Sequence, residues 1–236
     1  VAEAAPALGR PDSPEPVVLE RQTLLAVRRE QLQRTAESRF PLHRLLVVAR
    51  LGRGAAEEVA GYHRELFENA FEDHTREQVS GLLLLYSNYI FHVVESCSSA
   101  IYLIIQDLAS LQNQGQSALL QEIKVLVVAH NIPTRLFPEW YVVTATSPVT
   151  RPQGSAQSQT TAEVVAECLA LLLKAAACIQ SSEDDSEDTN ESIHTLAPEL
   201  LIPVETIKYL HNAEECVSPE DFLRIYLSPS QPALDS

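Results

Sequence analysis

The 236-residue sequence contains no CxxC pair and no run of about 18 consecutive apolar residues. The missing apolar run excludes a transmembrane helix. The missing pair, with the wide spacing of the cysteines, excludes a zinc ribbon and a disulfide framework. Residues 1–16 also lack the basic start and apolar core of a signal peptide, which predicts a cytoplasmic protein in a reducing compartment. The expected free thiols are Cys97, Cys168, Cys178 and Cys216.

Sequence motifs of enzymes and metal sites are missing as well. Nothing matches the phosphate loop GxxxxGK(S/T), the GxSxG nucleophile elbow or the HExxH zinc motif. The seven histidines never stand four residues apart, and Gly52 and Gly54 form only a short GxG turn. We therefore expect no enzymatic activity, no metal site and no cofactor.

Basic residues are scarce and unevenly placed: 17 Lys and Arg stand against 32 Asp and Glu, for a formal net charge of −15. Residues 179–236 carry 13 acidic and 2 basic side chains, whereas residues 1–53 carry nine arginines and six acidic side chains. Nucleic acid and anionic membrane surfaces bind to positive patches. We therefore expect neither nucleic acid nor membranes as partners of the acidic tail.

The apolar pattern predicts strands and helices in the order β-α-β-β-α-β-β. Continuous or alternating apolar runs place strands at 45–50, 79–86, 89–95, 123–130 and 137–145. Spacings of three to four residues place helices at 55–71 and 98–111. The order is typical of an α+β, ferredoxin-like βαββαβ fold, here with a fifth strand and two helices on one face of a mixed sheet.

The segments around this core, which we place at 43–147, differ from it in composition. The chain begins with a disordered lead and an amphipathic helix, at 1–16 and 17–38. After the core, the pattern predicts a hydrophobic helix that docks on the open sheet face, an acidic linker and a C-terminal helical extension, at 160–180, 181–192 and 193–236.

Two of these flanking segments offer side chains to protein partners. The N-terminal helix carries guanidinium groups suited to acidic protein surfaces such as tubulin: Arg21, Arg28, Arg29 and Arg34. The C-terminal extension carries apolar anchors: Ile207, Leu210, Phe222, Leu223 and Tyr226. The alternative is that both segments simply pack on the core of their own chain.

Three short motifs lie on or beside the predicted strands. They are Val79-Ser80-Gly81 on strand two, FHVVES at 91–96 on strand three, and RLFPEW at 135–140 at the start of strand five. Together they resemble the BLUF fold, the blue-light sensor domain that uses FAD. That family has Ile/Leu-Thr-Gly, aromatic-Gln-x-Leu-Glu-Gly and Arg-x-Phe-x-x-Trp at these places. The resemblance covers 43–147 and implies the same fold as the apolar pattern.

The resemblance also implies which positions would carry flavin photochemistry. In BLUF domains a strand-one tyrosine donates an electron to the flavin, a strand-three glutamine rearranges its hydrogen bonds, and an asparagine lies near the end of helix one. This sequence has Val48, His92 and His74 there, and of that set only Trp140 keeps its identity. Valine donates neither an electron nor a hydrogen bond, so we expect the light reaction and flavin binding to be lost.

A divergent BLUF-like domain with a leading helix and an acidic C-terminal extension is similar to a group of animal proteins associated with sperm and motile cilia. The similarity implies a non-enzymatic structural or adaptor protein of the axoneme, bound to other axonemal or cytoskeletal proteins. One alternative is a flavin-binding sensor or regulator in which His74 and His92 replace the lost amides. Another is an unrelated ferredoxin-like enzyme.

Overall fold

The computed structural model describes residues 41–70, 78–145, 159–183 and 196–226. The predicted lead, the arginine-bearing helix, His74 and most of the acidic linker lie outside the described residues. The same holds for four of the predicted partner-binding residues, Arg21, Arg28, Arg29 and Arg34.

Strands and helices follow one another along the described ranges in the predicted order. The strands are β1 (Leu42–Leu51), β2 (Ser80–Leu85), β3 (Tyr89–Cys97), β4 (Leu120–Ile132) and β5 (Trp140–Thr144). The helices are α1 (Ala56–Ala70), α2 (Ser98–Asn113), α3 (Thr161–Glu183), α4 (Val204–Asn212) and α5 (Pro219–Tyr226). Two short 3-10 turns are added at Gly115–Ser117 and Pro198–Leu200.

The five strands form one sheet in the order β4-β1-β3-β2-β5. β1 is antiparallel to β3 and β4, β2 is antiparallel to β3, and β5 is parallel to β2. β2 and β3 form the predicted hairpin, with Leu82 opposite Val93. The predicted ferredoxin-like α+β fold with a fifth strand is confirmed.

One face of the sheet is covered by α1 and α2. Alternate strand residues such as Val47 and Ile90 point to this face and pack with Ile104 of α2. The two helices also contact each other, because the Tyr62 hydroxyl donates a 2.5 Å hydrogen bond to Asp107 Oδ2. Burial and this carboxylate raise the pKa of the Tyr62 hydroxyl, so the phenol remains a donor at neutral pH.

The other face is covered by α3, the turn Pro198–Leu200 and α4. Val48 and Phe91 point to this side and pack with Leu172 of α3. The Tyr86 hydroxyl donates a 2.6 Å hydrogen bond to the carbonyl of Ile202, which ties the C-terminal segment to the end of β2. The sheet is therefore enclosed between two helical layers.

The C-terminal extension is largely part of the fold. Its first part is divided into the turn Pro198–Leu200 and α4, because Pro203 lacks an N–H and α4 begins only after it, at Val204. Ile207 and Leu210 are both 0% exposed and lie in the same core as Phe91. The prediction that these two residues anchor a partner is therefore wrong, since their own sheet already covers them.

The last helix, α5, lies on the α2 side of the molecule. The Val125 N–H on edge strand β4 donates a 2.9 Å hydrogen bond to the carbonyl of Val217, just before α5. Phe222 and Leu223 are half-buried against the same core as α2, so they too serve mainly the chain's own packing. Tyr226 is 66% exposed and remains available for a partner.

Candidate functional site

His92 lies on the central strand β3, where the resemblance places the glutamine of a light sensor. Its neighbours in register are Val47 on β1 and Leu83 on β2, and all three point towards α1 and α2. Only 2% of the His92 side chain is exposed. The position is therefore inside the core and is reached only through the helices that cover it.

Three further side chains surround His92 and form with it the imidazole–tryptophan cluster. His63 and Phe67 come from α1 and Trp140 from β5. The His63 and His92 rings meet edge to face, with centroids 4.6 Å apart, and Phe67 meets Trp140 in the same way at 5.3 Å. Ring edges carry partial positive charge and ring faces partial negative charge, so these contacts are attractive.

Hydrogen bonds fix the protonation of both imidazoles. Trp140 Nε1–H donates to His92 Nε2 at 3.1 Å, so this nitrogen carries a lone pair rather than a proton. His63 Nδ1–H donates to the carbonyl of Val59 at 2.8 Å. His63 Nε2 is buried and makes no hydrogen bond. Both histidines are therefore neutral.

Burial is the main cause that disfavours charge in this cluster. It lowers the pKa of His63 to about 4, against a smaller opposing effect of the Val59 carbonyl. Burial, and then the neighbouring His63, lower the pKa of His92 well below its ordinary value. Neither ring can act as a proton carrier near neutral pH, because neither changes its charge there.

A cavity of about 470 Å³ adjoins the cluster and is lined by Phe67, Trp140, the buried Val79 and exposed polar residues. Phe67 gives it an apolar wall, and the indole N–H of Trp140 already donates to His92. Among the described residues, no group of three or more His, Cys, Asp or Glu side chains could hold a metal ion. The arrangement can stabilise the core and present an aromatic wall to the cavity.

The strand-one position predicted at Val48 lies on the opposite face of the sheet from His92. Val48 packs towards α3, whereas the β1 residue that pairs with His92 on its own face is Val47. Successive strand residues point to opposite faces, so Val47 and not Val48 shares a face with His92. The chemical consequence is unchanged, because both residues are valines and β1 contains no tyrosine.

His63 is the member of the cluster that the sequence analysis did not identify. It lies one helical turn after Val59 and one turn before Phe67, on the buried face of α1. That spacing predicts burial but cannot show that the side chain meets His92. The structure brings together His63, His92 and Trp140, while His74 lies outside the described residues.

A second buried polar cluster joins residues of two of the sequence motifs, FHVVES and RLFPEW. Glu95 is 0% exposed and accepts a 2.6 Å hydrogen bond from Arg44 Nε, the residue opposite it on β1. The backbone N–H groups of Leu136 and Phe137 donate to Glu95 Oε2 at 2.8 and 3.2 Å. The carboxylate therefore holds the segment that leads into β5. We call this set the Glu95 cluster.

Arg135 strengthens the same attachment from the other side. Its Nη1 donates 2.8 Å hydrogen bonds to Ser80 Oγ and to the carbonyl of Glu95, and its Nη2 donates to the carbonyl of Gln78 at 2.8 Å. The RLFPEW segment is thus fastened to the ends of β2 and β3. These motif residues therefore have a structural task.

Comparisons with known proteins find one family model and several similar solved structures. A family model described as testis-expressed protein 47 matches residues 41–228. Among solved structures, the chain is 17% identical to the BLUF domain of BlrP1, with a TM-score of 0.34 over 44% of this chain and 65% of that one. It is 21% identical to BlrB, a BLUF protein in its dark state, with a TM-score of 0.32 over 44% and 74%.

A third solved structure is a bacterial light-regulated adenylyl cyclase. This chain is 16% identical to it, with a TM-score of 0.36 over 72% of this chain and 39% of the cyclase. None of the helices in the described ranges is both long and apolar enough to cross a bilayer.

Proposed function

Because the chain belongs to the testis-expressed protein 47 family, whose model matches 41–228 of the 236 residues, we propose that it is a non-enzymatic structural or adaptor protein of the motile cilium or sperm flagellum axoneme. In this proposal the BLUF-like domain has lost flavin photochemistry and acts as a rigid scaffold. Its partners are other axonemal or cytoskeletal proteins.

The observation that carries this proposal is the hydrogen bond from Trp140 Nε1 to His92 Nε2. The strand-three side chain of a light sensor must be free to exchange hydrogen bonds with a flavin. His92 instead has this nitrogen occupied by the chain's own indole, and it is buried against His63. The hydrogen bond of His92 Nε2 is therefore made within the cluster and not to a ligand.

Support for an adaptor role comes from apolar side chains that the chain leaves uncovered on α5. Ile225 is 54% exposed and Tyr226 is 66% exposed, next to half-buried Phe222. Phe222 and Tyr226 stack with ring centroids 4.6 Å apart, which holds the tyrosine ring in one position. A preorganised aromatic residue of this kind binds a partner groove with little loss of side-chain entropy.

Flavin titration tests the lost photochemistry. FAD and riboflavin phosphate are added to the purified full chain while flavin fluorescence and the absorption spectrum are recorded. We expect a colourless preparation and no saturable quenching. Saturable quenching at micromolar protein would contradict the proposal and favour the flavin-binding sensor, and a red-shifted photoproduct after blue illumination would show that photochemistry persists.

Cross-linking mass spectrometry on isolated axonemes tests the proposed setting. The chain has three lysines, Lys124, Lys174 and Lys208, so amine-reactive cross-links report on three known positions. We expect the chain to be retained in salt-washed axonemes and to form cross-links to axonemal proteins. If it washes out with the soluble fraction, the axonemal assignment is wrong.

Surface substitutions distinguish docking through α5 from nonspecific hydrophobic binding. The paired change Ile225→Ser and Tyr226→Ser removes exposed apolar groups, while Leu173→Ser, 57% exposed on α3, is the matched control. We expect the α5 variant to incorporate severalfold less into axonemes and the control to incorporate normally, both with unchanged melting temperatures. Equal incorporation of the two variants would exclude α5 as the docking element.

A further inference from the structure

A polar pocket of about 740 Å³ lies at the end of the sheet where β1 ends and β3 and β4 begin. Its cationic side chains come from three elements: Arg50 from β1, Arg53 from the following turn, and Lys208 from α4. Side-chain amides of Asn88, Gln116 and Gln121 also line it. We call this the basic pocket, and it shares no residue with the imidazole–tryptophan cluster.

Among the described residues, a carboxylate pairs with one of the three cations, Arg50. Arg50 Nη2 lies 2.5 Å from Glu122 Oε1 and donates a 3.0 Å hydrogen bond to Gln121 Oε1. Arg53 and Lys208 are exposed, and within the described ranges neither forms an ion pair. The basic pocket therefore keeps positive charge in a chain whose net charge is −15.

The backbone around the basic pocket is built to a fixed shape. Glu122 has a positive φ of 50°, at a shift in the register between β1 and β4, which turns its carboxylate towards Arg50. A Cβ at Gly52 would lie 2.4 Å from the carbonyl oxygen of Ala118, and Gly54 has a φ of +75°. Arg53 is thus held on a tight turn that only these flanking glycines allow.

The chemistry of the lining decides which ligand fits. Unpaired cations on separate elements attract negative groups that are spread along a chain, and side-chain amides can bond to the backbone between them. The predominantly polar lining offers little apolar contact to a lipid tail or a flat aromatic ring. Gln121 is already bonded to Arg50 and to the carbonyl of Gln116, so a flexible segment rich in Asp or Glu would bond to Arg53, Lys208 and the amides of Asn88 and Gln116.

We propose that the basic pocket binds an acidic peptide segment of a partner protein, with carboxylates on Arg53 and Lys208 and peptide backbone on the amides. The inference rests on the adaptor function proposed above, for which it names the chemistry of one partner. Because the net charge of the chain is −15, a local positive pocket also orients an acidic partner on approach.

Fluorescence anisotropy on the purified full chain tests this directly. The probe is a fluorescein-labelled dodecamer of glutamate, with a glutamine dodecamer as the neutral control, at low and at physiological ionic strength. We expect saturable binding of the glutamate peptide alone, weakened by added salt because exposed ion pairs are screened. Equal binding of both peptides would overturn the proposal.

Charge reversals locate the site. Lys208→Glu should weaken binding of the glutamate peptide about tenfold, since an attractive ion pair becomes a repulsive one. Lys174→Glu makes the same change in net charge on an exposed position of α3 and should leave the affinity close to that of the unaltered chain. Equal losses in the two variants would mean that net charge alone is responsible, and the basic pocket would be excluded.

Inorganic pyrophosphate provides the competing arm. The proposal would be wrong if pyrophosphate bound at micromolar concentration and the glutamate peptide did not. Loss of pyrophosphate binding in Lys208→Glu would then show that the basic pocket takes a phosphate compound. These measurements use the purified chain, so a negative result would not contradict the proposed axonemal role. Conversely, a chain that is not retained in axonemes can still be tested for peptide binding.

Discussion

The Glu95 cluster and the imidazole–tryptophan cluster lie on opposite faces of β3. They differ in how many hydrogen-bond partners their buried polar atoms have. Glu95 accepts hydrogen bonds from the Arg44 side chain and from the backbone N–H groups of Leu136 and Phe137. His63 and His92 have fewer partners, and one nitrogen of His63 has none.

The difference shows what a buried side chain needs in order to remain polar. A carboxylate without exposure is tolerated where several donors converge on it. The imidazoles lack such partners for a second proton and stay neutral, so the cluster contributes packing and no charge. A BLUF-type sensor would need the strand-three side chain free for a flavin, whereas here Trp140 already occupies Nε2 of His92.

The largest effect should follow from Glu95→Ala. The substitution leaves the Arg44 guanidinium, 16% exposed, and two backbone N–H groups without their acceptor, and we expect the free energy of unfolding to fall by about 3–5 kcal/mol. Urea denaturation measures it. Glu139→Ala, an exposed neighbour in the same segment, should change the stability by less than about 0.5 kcal/mol. Similar losses in both variants would show that the hydrogen bonds of the Glu95 cluster contribute no more to stability than an exposed carboxylate does.

Acidification should act on the other cluster. The pKa of His63 is about 4 in the folded chain and about 6.5 in the unfolded chain, so the unfolded state takes up its proton first as pH falls. The contribution of neutral His63 to the free energy of unfolding is fully present above about pH 6.5 and is lost as the pH falls from about 6.5 to about 4. At pH 5 we expect His63 alone to lower the free energy of unfolding by about 2 kcal/mol relative to pH 7.5.

Trp140→Phe should have a smaller effect at neutral pH. It keeps an aromatic ring in contact with Phe67 but removes the donor to His92 Nε2. We expect a loss of about 1–2 kcal/mol, the range for a buried acceptor that loses its partner. A change below about 0.3 kcal/mol would indicate that the indole N–H does not bond to His92.

The smallest change at pH 7.5 should come from His63→Phe. The substitution removes the unpaired Nε2 and the bond to Val59, two effects that oppose each other, so the stability at pH 7.5 should change by less than about 1 kcal/mol. The difference between pH 7.5 and pH 5 should shrink by about 2 kcal/mol. If the variant keeps the full pH dependence, groups other than His63 cause it.

The order of strands and helices, the β2–β3 hairpin and the ferredoxin-like plan were predictable from the sequence, because each depends on local periodicity and turn residues. The break between the turn Pro198–Leu200 and α4 also has a local cause, Pro203, which the apolar pattern alone does not show. Alternation along β1 was predictable too. The residue of that strand that shares a face with His92 became known only from the register, which identifies Val47 instead of Val48.

Contacts between distant parts of the chain were decided by the tertiary structure alone. Apolar spacing marked Ile207 and Leu210 as one face of a helix, and the same spacing serves a partner groove or the chain's own sheet equally well. Likewise, no sequence pattern shows that His63 meets His92, or that Arg53 and Lys208 line one pocket. Periodicity specifies which side of a segment is apolar, and only the folded chain specifies what that side contacts.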